Sequence, residues 1–555
     1  MVVVFLVLLF ATFLFSANSS AGQRSAIAGV VTLLLFPLVW FVPRAGIPAM
    51  LGFLMVMGGL RRSLIPLLGY TELDPIILVS PVVATICFVN LAINRKLRPT
   101  TQLGKWTMVL MGCMGIAILN PLQGNPLVGL TGAAFYLVPL MWYCVGRNVG
   151  SPEIITKVIN TVLFLSVLGA INGLKQHFFG FSDAEREWFR LSSFTNLVGG
   201  TERPMSFYTS PAEYANFLAI GILICVCNCF QKQKAYVFVA LFLAYALFLT
   251  GIRGIIVATA GASTLIWAVQ GREMRGWIPR VVIALMIVGV GGFLGLQQLG
   301  SVAESVGGGN SGAELVNHQI QGLTDPLSKN SSAHGHLGNI SLALISGLKM
   351  PIGYGLGAST MGSTRFGGSA SFNAETDLAT IFYSLGAIGG VVFIGVIVNC
   401  FRSAGLYWYH TRAYSPLVIM GILVAANGNW LTPGHYAESA LIWALIGCLD
   451  RSWSDGKWIP GLTQKRKQGR SGIAVWKQSI ARRLGNTTPS WETSSSWDRP
   501  TVTDTQRIPE PVINIPGVHP PPGVTHLTPS AKRALARTAR ESAETPGKPQ
   551  GWGEA

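Results

Sequence analysis

The sequence predicts an all-α polytopic membrane protein of about 12–14 transmembrane helices, with a large outer-face loop and a disordered cytoplasmic tail. Three observations carry this expectation. Apolar runs long enough to cross a hydrocarbon core of ~30 Å recur along most of the chain. Only 12% of the 555 residues are charged, half are hydrophobic and the mean hydropathy is +0.46, whereas soluble domains carry about 25% charged residues. Basic residues gather in alternate connections between the runs. Helices are the expected spanning element because each satisfies its own backbone hydrogen bonds. A barrel would need strands of about ten residues alternating polar and apolar, and these runs do not alternate.

The first run, MVVVFLVLLFATFLFS, starts apolar at Met1. A cleavable signal needs a charged start, so this run is read as the first span, at 2–17. Further spans are expected at about 26–43, 46–60, 74–94, 105–121, 127–146, 155–176, 211–230, 234–251, 254–270, 278–298, 376–400, 415–430 and 436–449. The connections RKLRPTTQLGK (95–105), QKQK (231–234) and GREMRG (271–276) are basic, as are FRS (401–403) and Arg412. Alternation puts all of them on one face, which the positive-inside rule makes cytoplasmic, together with both termini. Arg61 and Arg62 disobey and fall on the outer face. Either spans two and three are half-helices, or these arginines serve that face. The long connections 177–210 and 299–375 also fall outside, and long loops in compact proteins are usually functional.

Residues 1–450 are expected to form the membrane domain and 451–555 a basic tail rich in Pro, Ser and Thr. The tail holds 16 Lys and Arg against 8 Asp and Glu, so +8 of the +17 net charge lies there. This placement argues for a bilayer partner and against nucleic acid. KRKQGR (465–470) suits anionic headgroups. The eight cysteines lie in or beside apolar runs and read as small buried hydrophobes. The C-x-C-x-C at 225–229 points its members in different directions on a helix, so no metal site is expected there.

Four stretches carry candidate chemistry. TERPMSFYTSPAEY (201–214) stands just before a span. Ser210, Pro211 and Glu213 read as a helix start, with a cap, a first-turn proline and a carboxylate at the positive dipole end. Arg203 has no such explanation; it suits a phosphate, a headgroup or Glu202. The second stretch is TGIRG (250–254), an arginine flanked by glycines at the outer hinge of two spans. The third, GHLGNISLALISGLKMPIGYGLG (335–357), combines His336, a helical apolar pattern and a glycine-rich turn. His334 and His336 form an H-x-H without a carboxylate or cysteine nearby, which is poor metal-binding material. The fourth, NAETDLATIFYSLGAIGG (373–390), brings Glu375 and Asp377 to the mouth of a span. Their bland role is dipole compensation; a sheltered carboxylate there also suits a base. Arginines suit a diphosphate, and a carboxylate or imidazole suits deprotonation of a hydroxyl.

These motifs, in this order, resemble the bacterial O-antigen ligase and O-antigen/exopolysaccharide polymerase superfamily. The resemblance rests on R-P-x-S-F at 203–207, T-G-I-R-G at 250–254, G-H-L…P-I-G-Y-G-L-G at 335–357 and E-T-x9-G-x-x-G at 375–389, over roughly residues 70–450. It implies a GT-C-like helical fold in the bacterial inner membrane. It further implies a metal-independent glycosyltransferase that takes a glycan from undecaprenyl diphosphate and passes it to a sugar hydroxyl of a glycan acceptor, without a cofactor. Carried over, Arg203 and Arg253 would bind the diphosphate. The ligase branch has His followed by Asn, Ser or Gln before x9-G-x-x-G, where this chain has Glu375-Thr376. That departure favours polymerase-like members and leaves the base open, with Glu375 first and His336 second. The tail is no part of the family pattern; a chain-length regulator or a cytoplasmic partner is a candidate for it. The competing readings are ligation of finished glycan to another acceptor, a secondary transporter with acidic residues at midplane, and a non-catalytic assembly protein.

Overall fold

The computed structural model describes residues 19–192, 197–198, 201–231, 233–270, 279–280, 282–283, 332–369, 372, 376–426, 428–431 and 436–454. The expected first span, most of the span at 278–298, the start of the second long loop and the tail beyond residue 454 lie outside these residues. The described residues are mostly helical. Among the described residues, seven helical segments are long and apolar enough to cross a membrane.

The helices follow the expected order: α1 (Ser20–Phe41), α2 (Pro43–Ser63), α3 (Val79–Ile93, entered through a 3-10 turn at Pro75–Leu78) and α4 (Gln102–Ala117). Next come α5 (Pro126–Gly132) and α6 (Val138–Val149), joined by a π-turn at Ala133–Leu137, then α7 (Pro152–Phe179) and the short α8 (Asp183–Ser192). A two-residue antiparallel pairing of Leu197–Val198 with Thr201–Glu202 precedes α9 (Pro211–Phe230). The rest are α10 (Tyr236–Phe248), α11 (Arg253–Val269), α12 (Ser332–Lys349), α13 (Asp377–Thr411), α14 (Tyr414–Ala425) and α15 (Tyr436–Ser454).

Several helix starts carry side-chain caps, the expected one at Ser210 among them. Ser19, Thr101, Ser151 and Ser210 each accept a hydrogen bond from an amide of the first turn, which satisfies an otherwise orphaned donor. α13 runs past the expected end at 400 to Thr411. Tyr407 and Trp408 are buried on that extension, and Arg412, in a left-handed conformation, closes it by donating its N–H to the Trp408 carbonyl at 2.8 Å.

Packing is tightest between α6 and α15. A Cβ at Gly146 would overlap the Ala444 carbonyl, and one at Gly447 would overlap the Tyr143 carbonyl. Small residues at such crossings let backbones meet, which matters in a bilayer because lipid is as apolar as the side chains. On the outside, Phe41, Ile116, Phe164, Phe179 and Phe238 are largely exposed. These are the positions expected to face lipid.

α13 is broken at Gly386, where φ is +67°. The P-I-G-Y-G segment splints the break. Tyr354 N–H donates to the Tyr383 carbonyl at 3.0 Å, Gly355 N–H to the Ser384 carbonyl at 3.1 Å, and Ile388 N–H to the Pro351 carbonyl at 3.3 Å. Broken backbone at membrane depth is tolerated only where such partners replace the lost helical ones. The glycine block and the x9-G-x-x-G block are therefore two halves of one structural device. Gly386 has to be glycine twice over: its φ is left-handed, and a Cβ would overlap the Pro351 carbonyl.

Candidate functional site

The site end of the bundle gathers the ends of α2 and α7 and the starts of α9, α11, α13 and α15. Within it the 203–210 loop is held by a network of hydrogen bonds. The Arg62 guanidinium, on the last turn of α2, donates to the carbonyls of Ser206 (2.6 Å) and Tyr208 (2.8 Å). Gln176 on α7 reaches the same turn. Its amide oxygen accepts from the N–H groups of Met205 (3.0 Å) and Ser206 (2.6 Å), and its amide nitrogen donates to the Ser206 carbonyl (3.1 Å). Ser206 sits at φ +52°, a conformation non-glycine residues adopt at a cost of about 1–3 kcal/mol. These bonds hold it there.

Gly58 and Gly59 make the ledge on which this loop rests. A Cβ at Gly58 would overlap the Tyr208 carbonyl, and Gly59 N–H donates to the Phe207 carbonyl at 2.6 Å. Tyr208 then stacks on Phe207 and Phe217, with ring centroids 4.9 and 5.2 Å away. Arg61 and Arg62 thus have structural partners, and α1 and α2 are full-length helices of 22 and 21 residues rather than half-helices. Arg62 clamps the loop. Arg61 pairs with buried Asp74 at 3.1 Å, and Arg24 pairs with the same carboxylate.

Arg203 is half-buried, immediately ahead of buried Pro204 and the clamped turn. Burial lowers its pKa below the usual guanidinium value. An anion brought to it offsets that desolvation. Arg253 is the first residue of α11, which packs on α14 and α9. Gly251 supplies the hinge with φ +74°. A Cβ at Gly254 would meet nothing within 4 Å, so no protein backbone uses the space beside it. A cation at the positive end of a helix dipole is locally unfavourable, so helix formation does not account for Arg253. The two arginines enter this end on different elements, one held by α2 and α7, the other by α9 and α14.

Glu213 caps the dipole of α9 as expected, with Ser210 Oγ accepting from its N–H at 3.1 Å. It also does more. Its buried carboxylate accepts from Thr209 N–H (3.0 Å), from the Thr209 hydroxyl and from Ala437 N–H at the start of α15 (3.2 Å). Asp377 is likewise engaged by backbone: it accepts from the N–H groups of Trp430 and of Leu431 (3.0 Å), while its own N–H donates to the Gly428 carbonyl at 2.8 Å. Its role is to tie the 428–431 turn to α13, so the general-base expectation passes to the other candidates. Glu375 lies outside the described residues. His336 falls on α12, which packs on α13 through Ile340, Ala343 and Leu344; the His336 side chain is outside the described set.

Sequence reasoning missed Glu438, a fully buried carboxylate in the first turn of α15 that accepts from the Asn216 amide on α9. Its signal was an acid in the first turn of an apolar helix, the same signal that Glu213 and Asp377 gave. Among the described residues, no three or more His, Cys, Asp or Glu side chains group so as to hold a metal ion. All eight cysteines are free thiols, with Cys225 and Cys227 buried.

The fold and the site together define a multi-pass α-helical membrane protein with an ordered, cation-bearing loop cluster at one end. In comparisons with protein-family models and with curated proteins, nothing matches the chain.

Proposed function

We propose that the chain polymerises lipid-linked oligosaccharide repeat units into a surface or exopolysaccharide. It does so by glycosyl transfer from undecaprenyl diphosphate to a sugar hydroxyl, at the outer face of the bacterial inner membrane. The observation that carries this reading is the pair Arg203 and Arg253: two guanidinium groups on separately anchored elements at one end of the bundle. The lipid carrier and the glycan come from the motif resemblance.

In the proposed step a base, Glu375 or His336, takes the proton of the acceptor hydroxyl. The oxygen attacks the anomeric carbon, and the bond from that carbon to the diphosphate oxygen breaks with its electron pair on the diphosphate. Preplaced cations at the departing charge stabilise this transition state more than the ground state. The reaction needs no metal and no cofactor.

The placement of the buried charges supports an end-on reaction rather than transport. Among the described residues, buried Arg24, Arg62, Asp74, Glu213, Asp377, Glu438 and Asp450 all lie within two turns of a helix end. A transporter concentrates such groups near the midplane. The test is reconstitution in liposomes with a labelled lipid-linked oligosaccharide. A ladder of repeat lengths on the carrier lipid supports polymerisation. Label on a new acceptor supports the ligase alternative, and uptake of solute without either product supports a transporter.

A further inference from the structure

At the end of the bundle opposite Arg203 and Arg253, the 96–100 loop, α4 and the last turns of α6 and α15 enclose a pocket of about 160 Å³. At ~30 Å³ per water it has the room of roughly five waters, enough for a phosphate group. Lys96, Arg147 and Arg451 line it. Asp450, buried behind them, neutralises one cation: its carboxylate accepts from Arg147 Nε, the Tyr143 hydroxyl and the Thr101 hydroxyl, each at 2.8 Å. Among the described residues, the pocket brings together three cations and the one carboxylate of Asp450.

Two of the cations, Arg147 and Arg451, are built in. Arg147 is fixed by further bonds to the Arg98 carbonyl (3.2 Å) and the Thr100 hydroxyl (2.6 Å). Arg451 donates to the carbonyls of Arg147 (3.3 Å) and Asn148 at the end of α6, where a cation complements the dipole. Lys96 is exposed at the rim. Leu97 and Met108 supply an apolar wall, and the neighbouring helices α3 and α4 expose Ile93 and Val109. Cations beside an apolar flank match an amphiphile with an anionic head better than a free anion.

We propose that this pocket seats the phosphate of an anionic phospholipid headgroup, with Lys96 and Arg451 as its charge partners and the acyl chains along the α3–α4 flank. Basic recesses between membrane helices bind headgroups by this combination. The site is separate from the proposed chemistry, and its test does not depend on activity.

The full chain, purified in detergent, is exchanged against phosphatidylglycerol or phosphatidylcholine and read by native mass spectrometry. The wild type is expected to retain phosphatidylglycerol and not phosphatidylcholine. Lys96→Gln is expected to lower retention roughly fivefold, the effect of one basic residue at an anionic surface. Arg451→Gln should do the same, and Arg402→Gln, an exposed arginine on α13 that does not line the pocket, should leave retention unchanged. Because Lys96 is exposed, its variant isolates binding from folding. Equal retention by Lys96→Gln and Arg402→Gln would overturn the proposal, as would equal retention of phosphatidylcholine. Displacement of the lipid by millimolar inorganic phosphate would also overturn it, by making the site one for free phosphate.

Discussion

Arg62 holds Ser206, 144 positions later in the chain, in a left-handed backbone conformation. The contact ties the last turn of α2 to the loop that delivers Arg203. Its consequence is precision: the diphosphate contact proposed for Arg203 needs a fixed backbone.

Arg62→Ala removes two charge-assisted bonds, one to the Tyr208 carbonyl and one to the Ser206 carbonyl, which keeps only the Gln176 amide. Such bonds contribute ~1.5–3 kcal/mol each, so the melting temperature in detergent should fall clearly below the wild-type value. Arg62→Lys offers a single point charge in place of the fork and should recover only part of the loss. Full recovery by lysine would show that the two-pronged geometry is unimportant.

The break in α13 makes a paired glycine test. Gly386→Ala places a Cβ against the Pro351 carbonyl in a left-handed backbone and should lower stability by about 2 kcal/mol or more. Gly254→Ala meets nothing within 4 Å and should melt like the wild type. Thermal melts of the two variants side by side decide it, and equal melts would contradict the splint.

Glu213 is a staple between α9 and α15, not a base. Glu213→Gln turns an amide N–H₂ toward groups that are themselves donors, which should cost about 1–3 kcal/mol of stability. Turnover per folded molecule should stay near wild type. A normal melting curve with lost turnover would instead make Glu213 catalytic.

Asp450 accepts three hydrogen bonds at the opposite end of the bundle. Asp450→Ala leaves the Arg147 charge half-buried without its carboxylate, and breaking a buried pair in this way costs about 3–5 kcal/mol. Denaturant unfolding should register that loss. A change below 1 kcal/mol would mean that water or lipid already serves Arg147.

The helical membrane class was legible in the sequence because apolar length and charge distribution respond to the bilayer itself. Ser210, Pro211 and Glu213 were legible as a helix start because capping is local. The Arg62 clamp was not, since its partners are carbonyls 144 and 146 positions away, and backbone acceptors leave no trace in sequence. The role of Asp377 was hidden for the same reason: its partners are amides of 430 and 431. The G-Y-G-L-G and x9-G-x-x-G blocks showed that glycine was needed, but not that each block serves the other. Glu438 was overlooked because dipole compensation explains any first-turn acid and says nothing of its burial.

The central claim is that Arg203 and Arg253 stabilise a departing diphosphate. The most direct measurement is single-turnover transfer from a labelled undecaprenyl-diphosphate oligosaccharide by the reconstituted chain and by Arg203→Ala and Arg253→Ala. Losing one preplaced donor typically removes ~3 kcal/mol of transition-state stabilisation. The account predicts a roughly hundredfold slower rate in each variant, with melting temperatures near the wild-type value. Wild-type rates in both variants, or no transfer by the wild type itself, would contradict it.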